Sequence, residues 1–470
     1  MTISILLDIP ESFAKQARYT VENIFSPYNE DFVVTDKFEN CNNENNRIVY
    51  CMESSPYLHD PNLEKDLFVI LENSSIEFFS HFKPYDLNDL SYIEKIPCIF
   101  PLKNNEILKS NRNLLPFDII AASFFFLSCW QEYSIGNRDK KGRVPLKSTI
   151  QYKLNIIRKP IVNEYLRILG DYINKLWGTE LEHKEMPGEA VSYVSLSHDI
   201  CWIDISLKKY IKLVVNNRHV IVKNFSNFLS AVRYLWSRTR IYKKVYDIEE
   251  KLGVFSTIFL LTEYPAKYKY FVDSLIKTYY GTNFELAHHL SGMSIMNQNV
   301  KQEKAMIKHL DSSICGERVH TLRFDINSLF SQVEMNAYNY DNSLLFPEDM
   351  GYRTGFSYPH YIFDPIKKKP FKVLAIPLNI MDTTLVDRKY LWLKDESVEK
   401  ELLDFISNSL NYGGVLSVLI HYSFFLINTK SRLEMYERIL TSLISKGVKI
   451  GTCREIYTWR DKSKNILFLK

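Results

Sequence analysis

The chain has 470 residues, which is too long for one ordinary hydrophobic core and predicts two domains or one large, elaborated domain. Apolar residues make up 46% of the sequence and charged residues 24%, proportions typical of a soluble globular protein. A net charge of +4, without a zinc-finger, RNP or helix-turn-helix pattern, argues against a nucleic-acid partner.

Targeting signals and cysteine usage indicate the compartment. The N-terminus lacks the basic region of a signal peptide, and no apolar stretch approaches the ~20 residues that span a bilayer. The seven cysteines are scattered, their number is odd, and no CxxC spacing occurs. Reduced thiols in a cytoplasmic protein are therefore expected.

Residues 1–182 alternate short apolar runs with helical patterns, which predicts a mixed α/β domain. The run from Ile3 to Asp8 indicates a strand, and Glu11 to Phe25 has the pattern of an amphipathic helix. Pro116 to Tyr133 predicts a buried helix with proline in its first turn. The polar segment 183–189, which contains Pro-Gly, is the predicted domain boundary.

Residues 190–470 alternate strand-like and helix-like segments. Such alternation predicts a parallel sheet, and seven or eight strands suggest a barrel. The predicted strands are 191–197, 255–262, 284–289, 319–324, 343–346, 372–379, 415–421 and 448–452.

One insertion, residues 205–246, interrupts this alternation. It contains ten Lys or Arg residues and no acid, interleaved with apolar and aromatic residues. Two interpretations remain open: a helical pair packed on the barrel with a solvated basic face, or a peripheral contact with an anionic membrane or glycan carrier.

Candidate catalytic residues stand at the ends of predicted strands. The run from Val191 to Ser197 ends in His198 and Asp199, and the carboxyl ends of barrel strands are where active sites lie. Later segments follow the same design: Glu285–Ser291 with His288 and His289, Tyr352–Pro359 with Arg353, Ile376–Asp382, and Ser417–His421.

These residue types suit a metal-dependent hydrolase, which needs His or carboxylate ligands, a bound water, a base and an acid. Asp199 could serve as base or ligand, His289 as ligand, Arg353 as an orienting or substrate-binding group, and His421 as the acid that protonates a leaving amine. A histidine at the end of a buried strand is, however, often only hydrogen-bonded. His288 and His289 point to opposite faces of a strand, so at most one faces the barrel axis.

The order of these motifs resembles the polysaccharide deacetylase (NodB-homology, carbohydrate esterase 4) superfamily, and in particular a bacterial subgroup with an extra N-terminal domain. The subgroup's Thr-His-Asp-Val-Asp is similar to Ser197–Cys201, and its Glu-Ile-Gly-Ile-His-Pro-Ser to Glu285–Ser291. Further similar segments are Arg318–Phe324, Tyr352–Pro359, Met381–Leu385, His421 and Gly447–Ile456. The resemblance covers most of the chain and implies a distorted (β/α)7-type NodB-like barrel preceded by a mixed α/β N-terminal domain.

The resemblance also implies a site and a cofactor. Asp199 matches the catalytic base of the superfamily, which binds a divalent metal, often zinc. Asp199, His289 and Cys201 would hold this metal, because Cys201 stands where the superfamily has a second acid and cysteine thiolate binds zinc. Met293 occupies the place of the superfamily's other histidine ligand.

The implied ligand is a carbohydrate, with His198, Tyr358 and Asp382 as further substrate-binding candidates. The expected function is hydrolytic N-deacetylation of an acetamido sugar or glycan in surface-polysaccharide metabolism. The alternative is a catalytically degenerate barrel that binds a glycan or a partner of the polysaccharide-assembly machinery.

Overall fold

The computed structural model describes residues 2–41, 46–109, 112–190, 192–200, 238–262, 276–279, 281–462 and 466–469. The strands, in chain order, are β1 (Thr2–Asp8), β2 (Asp31–Thr35), β3 (Arg47–Cys51), β4 (Leu67–Ile70), β5 (Leu90–Ile93), β6 (Ile96–Ile99), β7 (Asn113–Leu114), β8 (Ser192–Ile200), β9 (Thr257–Leu261), β10 (Glu285–Leu290), β11 (Gly316–Val319), β12 (Tyr340–Asp341), β13 (His360–Asp364), β14 (Lys369–Ala375), β15 (Ile380–Met381), β16 (Gly414–Leu419), β17 (Lys449–Gly451) and β18 (Ile466–Phe468).

The α-helices are α1 (Glu11–Phe25), α2 (Asn73–Ser80), α3 (Asn105–Leu108), α4 (Ile119–Leu127), α5 (Gln131–Ser134), α6 (Ile150–Lys153), α7 (Ile161–Trp177), α8 (Arg238–Leu252), α9 (Gly292–Met296), α10 (Val300–Leu310), α11 (Ile326–Met335), α12 (Asp382–Val386), α13 (Asp395–Leu410), α14 (Thr429–Ser445) and α15 (Cys453–Lys462).

The N-terminal unit is built on a parallel sheet with the strand order β18-β2-β1-β3-β4-β7. Strand β1 is apolar on both faces because both faces are covered. Ile3 and Ile5 enter a core shared with α1, α4 and α7, whereas Leu6 packs into a second core with Leu58 and Leu63. Helix α4 is apolar all round and completely buried, as expected for a helix enclosed by the protein on every side.

The last strand of the chain belongs to the N-terminal sheet. Residues Ile466–Phe468 of β18 pair in parallel with Phe32–Val34 of β2. The predicted division into 1–182 and 190–470 therefore separates the sheets except for this strand, which returns to the first unit after the second is complete.

The second sheet has the order β13-β14-β12-β11-β10-β9-β8-β16-β15, and β17 also pairs with β8. Its pairs are parallel except for β13 with β14. The sheet curls around an interior, because Arg318 of β11 donates a hydrogen bond to Ser197 of β8 although β9 and β10 lie between these strands. The predicted α/β class with a distorted barrel-like sheet is confirmed.

Only the end of the basic insertion is described. Residues 238–246 begin α8, in which Ile241 and Val245 are buried, and Lys243 Nζ lies 2.8 Å from Asp247 Oδ1. The rest of the insertion, together with Cys201, lies outside the described residues. In the part of the chain that the structure covers, no helix has the length and apolar character needed to cross a membrane. The six described cysteines are free thiols.

Candidate active site

Asp199 lies on the interior face of the curled sheet. Along β8, Ser195, Ser197 and Asp199 alternate with Val194 and Leu196, and successive side chains of a strand point to opposite faces. The apolar pair packs into the core formed with the outer helices. The polar set therefore shares the interior, where Asp199 is only 5% exposed.

The guanidinium of Arg318 holds Asp199 across the interior. Its Nη1 donates to Asp199 Oδ1 over 2.7 Å, and its Nη2 donates to Ser197 Oγ over 2.7 Å. Further donors are committed to Asn342, and the cation lies 4.0 Å from the centre of the Phe259 ring. This fully buried cation therefore has a fixed orientation, supported by charge-assisted hydrogen bonds.

The carboxyl group of Asp199 is ionised. Burial raises its pKa, but the charges of His289, Arg318 and His421 and the hydrogen bond from Arg318 outweigh burial and lower the pKa to about 2. Burial also lowers the pKa of His289 to about 3, so His289 is neutral at pH 7. At neutral pH, Arg318 is therefore the permanent positive charge that keeps Asp199 ionised.

Two imidazoles approach the other carboxylate oxygen of Asp199. The Nε2 atoms of His289 and His421 lie 3.4 Å and 3.7 Å from Asp199 Oδ2. His289 Nδ1 lies 3.1 Å from the carbonyl oxygen of Arg318. Because a carbonyl oxygen only accepts, Nδ1 carries the proton of the neutral ring, and Nε2 faces Asp199 as an acceptor.

His421 is held by Asp382. Its Nδ1 lies 2.6 Å from Asp382 Oδ1, and its backbone N–H donates to the same oxygen over 3.1 Å. The carboxylate fixes the ring and favours a proton on Nδ1, which directs Nε2 towards Asp199. The His421 side chain is 14% exposed, compared with 1% for His289, so it is the more accessible imidazole.

His198 does not face the site, which corrects the prediction that it binds substrate. It follows Leu196 on the apolar face of β8 and is completely buried. Its Nδ1 lies 2.6 Å from the carbonyl oxygen of Ile420, and its Nε2 lies 2.7 Å from Glu249 Oε1 in α8. His198 thus joins the strand to the outer helix layer.

Arg353 contacts the N-terminal unit, and Tyr358 contacts the segment 183–189 that joins the two units. Arg353 donates from Nε and Nη2 to the two carboxylate oxygens of Glu132 over 2.8 Å and 2.6 Å, and from Nη1 to the carbonyl of Leu345. The hydroxyl of Tyr358 lies 2.9 Å from His183 Nδ1. These polar groups are therefore engaged with partners other than Asp199, and the catalytic role of Arg353 and the substrate contact of Tyr358 stay predictions.

The metal prediction depends on Cys201, which lies outside the described residues. Among the residues that are described, no group of three or more His, Cys, Asp or Glu side chains is arranged to hold a metal ion. One oxygen of Asp199 already faces the Arg318 guanidinium, a cation that competes with a metal for that carboxylate. The described donor set on its own therefore does not fit a metal site.

The structure adds two residues to which the sequence assigned no role. Arg318 is the arginine that binds Asp199, and His320 lies with its ring centre 5.0 Å from that of His289. The sequence feature that could have indicated Arg318 is the charged pair Glu317-Arg318 in a strand of the barrel. Charges in a buried strand require partners, so such a pair predicts an ion pair in the interior. His320 precedes Thr321, which adopts a left-handed φ of 59° and turns the chain after the end of β11. This edge of the candidate site, formed by the turn at residues 320–323, is called the rim.

Comparisons with known proteins give similarities for both units. Residues 5–178 match a family model described as a family of unknown function (DUF7033). A protein described as a probable polysaccharide deacetylase from Pseudomonas aeruginosa PAO1 is 14% identical and covers 61% of this chain and 96% of its own, with a TM-score of 0.42. PuuE allantoinase gives the same four values.

A CE4 family pseudoenzyme from Bacillus anthracis is 14% identical and covers 59% of this chain and 70% of its own, with a TM-score of 0.31. Among curated proteins, none matches the sequence significantly. The structural neighbours include members of the superfamily that the motif order resembles, and at 14% identity they imply no activity for this chain.

Proposed function

We propose that the interior site hydrolyses the N-acetyl group of an acetamido sugar or glycan in surface-polysaccharide metabolism. The supporting observation is the approach of His289 and His421 to one oxygen of Asp199, at 3.4 Å and 3.7 Å. These residues come from three separate motifs of the deacetylase-like order. An ionised carboxylate beside an imidazole that can accept and return a proton is an arrangement that can activate water and protonate a leaving group.

In the proposed reaction, a water molecule hydrogen-bonded to Asp199 Oδ2 attacks the carbonyl carbon of the acetamido group. His421 Nε2 accepts the proton that the water loses. The C–N bond then breaks, and His421 returns the proton to the departing nitrogen. The products are acetic acid, which then loses its proton to become acetate, and the free amino sugar, and the two residues end in their starting states.

The electrostatics of the site support this division of roles. A general base works best when its pKa lies near the operating pH, and Asp199, with a pKa of about 2, binds a proton weakly. Asp199 is better suited to orient the water and to stabilise a protonated His421. Imidazole is the side chain best suited to exchange protons near neutral pH, and Asp382 holds His421 in the required tautomer.

The test is acetate release from N-acetylated chito-oligosaccharides by the full-length protein. Asp199→Asn and His421→Gln are each expected to lower the rate by about 10²-fold or more, the usual contribution of an acid or base. Asp404→Asn makes the same chemical change as Asp199→Asn at an exposed position of α13 and should leave the rate unchanged. No acetate release by the wild type would remove this function.

A second candidate is a barrel that binds a glycan or an assembly partner without hydrolysing it. The donor set supports it, because no metal-holding trio exists among the described side chains and Asp199 is bound to Arg318. Acetate release by the purified protein distinguishes the two functions. One metal ion per chain that is lost in Cys201→Ala would add a metal-assisted route to the hydrolase, whereas oligosaccharide binding without acetate release favours the binding protein.

A further inference from the structure

A loop of the N-terminal unit reaches the rim of the candidate site. In this loop, residues 139–143, Arg143 donates from Nη1 to the carbonyl oxygen of Thr321 over 3.3 Å. Thr321 follows His320, whose ring packs near that of His289. The rim therefore combines residues from both units.

Lys141 lies among other cations in this rim. Burial lowers the pKa of Lys141, and the positive charges of Arg143, Lys389 and Arg323 lower it further, against the opposing effect of Asp139. Asp139 is already bound by Arg143, whose Nη2 lies 2.6 Å from Asp139 Oδ2. The environment of Lys141 is thus positively charged even though an acid is close.

Lys141 and Arg323 have no acidic partner among the described residues, where neither side chain forms a hydrogen bond or an ion pair. The Nε–H group of Arg323 is buried and unsatisfied. Such a group requires an explanation, because a buried donor of a cation without an acceptor is costly. An anion at the rim would provide the missing acceptor.

Nearby acids do not cancel this charge. Glu348 and Asp387 both lie close enough to Tyr390 to raise the pKa of its hydroxyl, after burial as the main cause. Glu348 Oε1 accepts a hydrogen bond from the Leu146 backbone N–H over 3.4 Å. Neither acid pairs with Lys141 or Arg323, so both cations remain available to a ligand.

We propose that Lys141 and Arg323 bind an anionic group, a phosphate or a carboxylate, on the substrate whose acetamido group reacts at Asp199. The identity of the sugar rests on the proposed function, whereas the anion site rests on the rim alone. The planar fork of Arg323 fits both oxyanions, and Lys141 adds a point charge. The N-terminal unit would then select charged over neutral sugars.

The experiment titrates the full-length protein with N-acetylglucosamine, its 1-phosphate and N-acetylmuramic acid, which carries a carboxylate. At least one charged sugar should bind about tenfold more tightly than the neutral sugar, the gain expected from a hydrogen bond to a charged group. Lys141→Gln and Arg323→Gln should each remove most of this preference. Lys140→Gln removes the charge of the exposed neighbouring lysine and should leave the preference for charged sugars unchanged. The preferred charged sugar identifies the anion as phosphate or carboxylate.

Equal binding of charged and neutral sugars would contradict the proposal, as would an equal loss in Lys140→Gln or no binding of any probe. Inorganic phosphate separates this proposal from the proposed function. Phosphate binding that depends on Lys141 and Arg323, without acetate release from the chito-oligosaccharides, supports the rim site and removes the deacetylase function. Acetate release without tighter binding of charged sugars supports the deacetylase function and contradicts the rim site.

Folding of the Arg323 variant needs its own check. The Arg323 Cβ lies 2.7 Å from the point where a Cβ on Gly292 would stand, so the two segments are in close contact. Glutamine retains the Cβ and Cγ atoms, and circular dichroism verifies the fold. If Arg323→Gln unfolds, the comparison of Lys141→Gln with Lys140→Gln decides, and an unchanged charge preference in Lys141→Gln overturns the proposal.

Discussion

Arg318 and Asp199 form a buried ion pair across the interior of the curled sheet, with Nη1 and Oδ1 2.7 Å apart. Two strands lie between them in the sheet, so only curvature brings them together. The pair keeps Asp199 ionised and leaves its second oxygen to the imidazoles of His289 and His421. The electrostatic state of the candidate site therefore depends on a residue that reaches it from the opposite side.

Arg318→Met should destabilise the protein by about 3–5 kcal/mol, because it leaves Asp199 as an unpaired buried charge. Urea unfolding followed by circular dichroism measures the loss. Arg438 offers a matched control, since it pairs with Glu399 over 2.6 Å but its side chain is 57% exposed. Arg438→Met should cost less than about 1 kcal/mol. Similar costs for the two variants would mean that burial of the first pair has no special effect.

Buried neutral histidines should make the protein sensitive to acid, and His360 is the simplest case. Burial lowers its pKa from 6.5 to about 4. Between these values the unfolded chain binds more protons than the folded one, so stability falls as the pH falls. Relative to His360→Gln, the wild type should lose about 1.4 kcal/mol per pH unit in this window. Urea unfolding at several pH values tests this, and His81→Gln, at an exposed position, should follow the wild type.

The sequence predicted the site residues that depend on strand position. Asp199, His289 and His421 each follow a strand-like run, and the carboxyl ends of parallel strands share one edge. The period-2 pattern of β8 also contained information that was not used. His198 falls on the face of Val194 and Leu196, which indicates burial against the helices, as the structure finds.

Contacts between distant segments could not be predicted from local patterns. Arg353 pairs with Glu132, 221 positions away in the chain, and no spacing rule connects two such residues. Residues 319–324 were predicted as a strand, but β11 ends at Val319 and the chain turns with Thr321 and Leu322 at φ 59° and 50°. Tertiary contacts at the rim override the β-branched pattern there.

Glu317 and Asp341 form a second buried pair, on the side of the sheet away from Arg318. They are register partners in β11 and β12, and both are inaccessible to solvent. Ser343 donates its backbone N–H to Asp341 Oδ1 over 3.1 Å, whereas no donor among the described residues reaches either Glu317 oxygen. Two ionised carboxylates in this position would repel each other without compensation.

Glu317 should therefore carry a proton at neutral pH and donate it to Asp341. Burial and the charge of Asp341 raise the pKa of Glu317 above its ordinary value of 4.5. The folded state then binds more protons than the unfolded state, so this group lowers stability as the pH rises from 4.5 towards its folded pKa. Relative to Glu317→Gln, the free energy of unfolding of the wild type should fall by about 1.4 kcal/mol per pH unit in that range.

Infrared spectroscopy gives a direct test of the same proton. The protonated carboxyl band at pH 7 should have the same intensity in the wild type and in Glu77→Gln, an exposed control with the same chemical change, and a lower intensity in Glu317→Gln. Asp118, whose pKa burial raises to about 7, contributes to the band that remains. Parallel stability curves for wild type and Glu317→Gln, together with an unchanged band, would show that Glu317 is ionised.

Breaking the ion pair between Arg353 and Glu132 should destabilise the folded protein, because both charges are buried, with side chains 1% and 4% exposed. Arg353→Leu leaves Glu132 unpaired, and Glu132→Leu leaves Arg353 unpaired, so each should cost about 3–5 kcal/mol in urea unfolding. The double variant has no unpaired charge, and apolar side chains already surround the site through Phe324 and Phe346. It should therefore be more stable than either single variant. If the two single costs simply add in the double variant, the residues act independently and the contact between the two units depends on other packing.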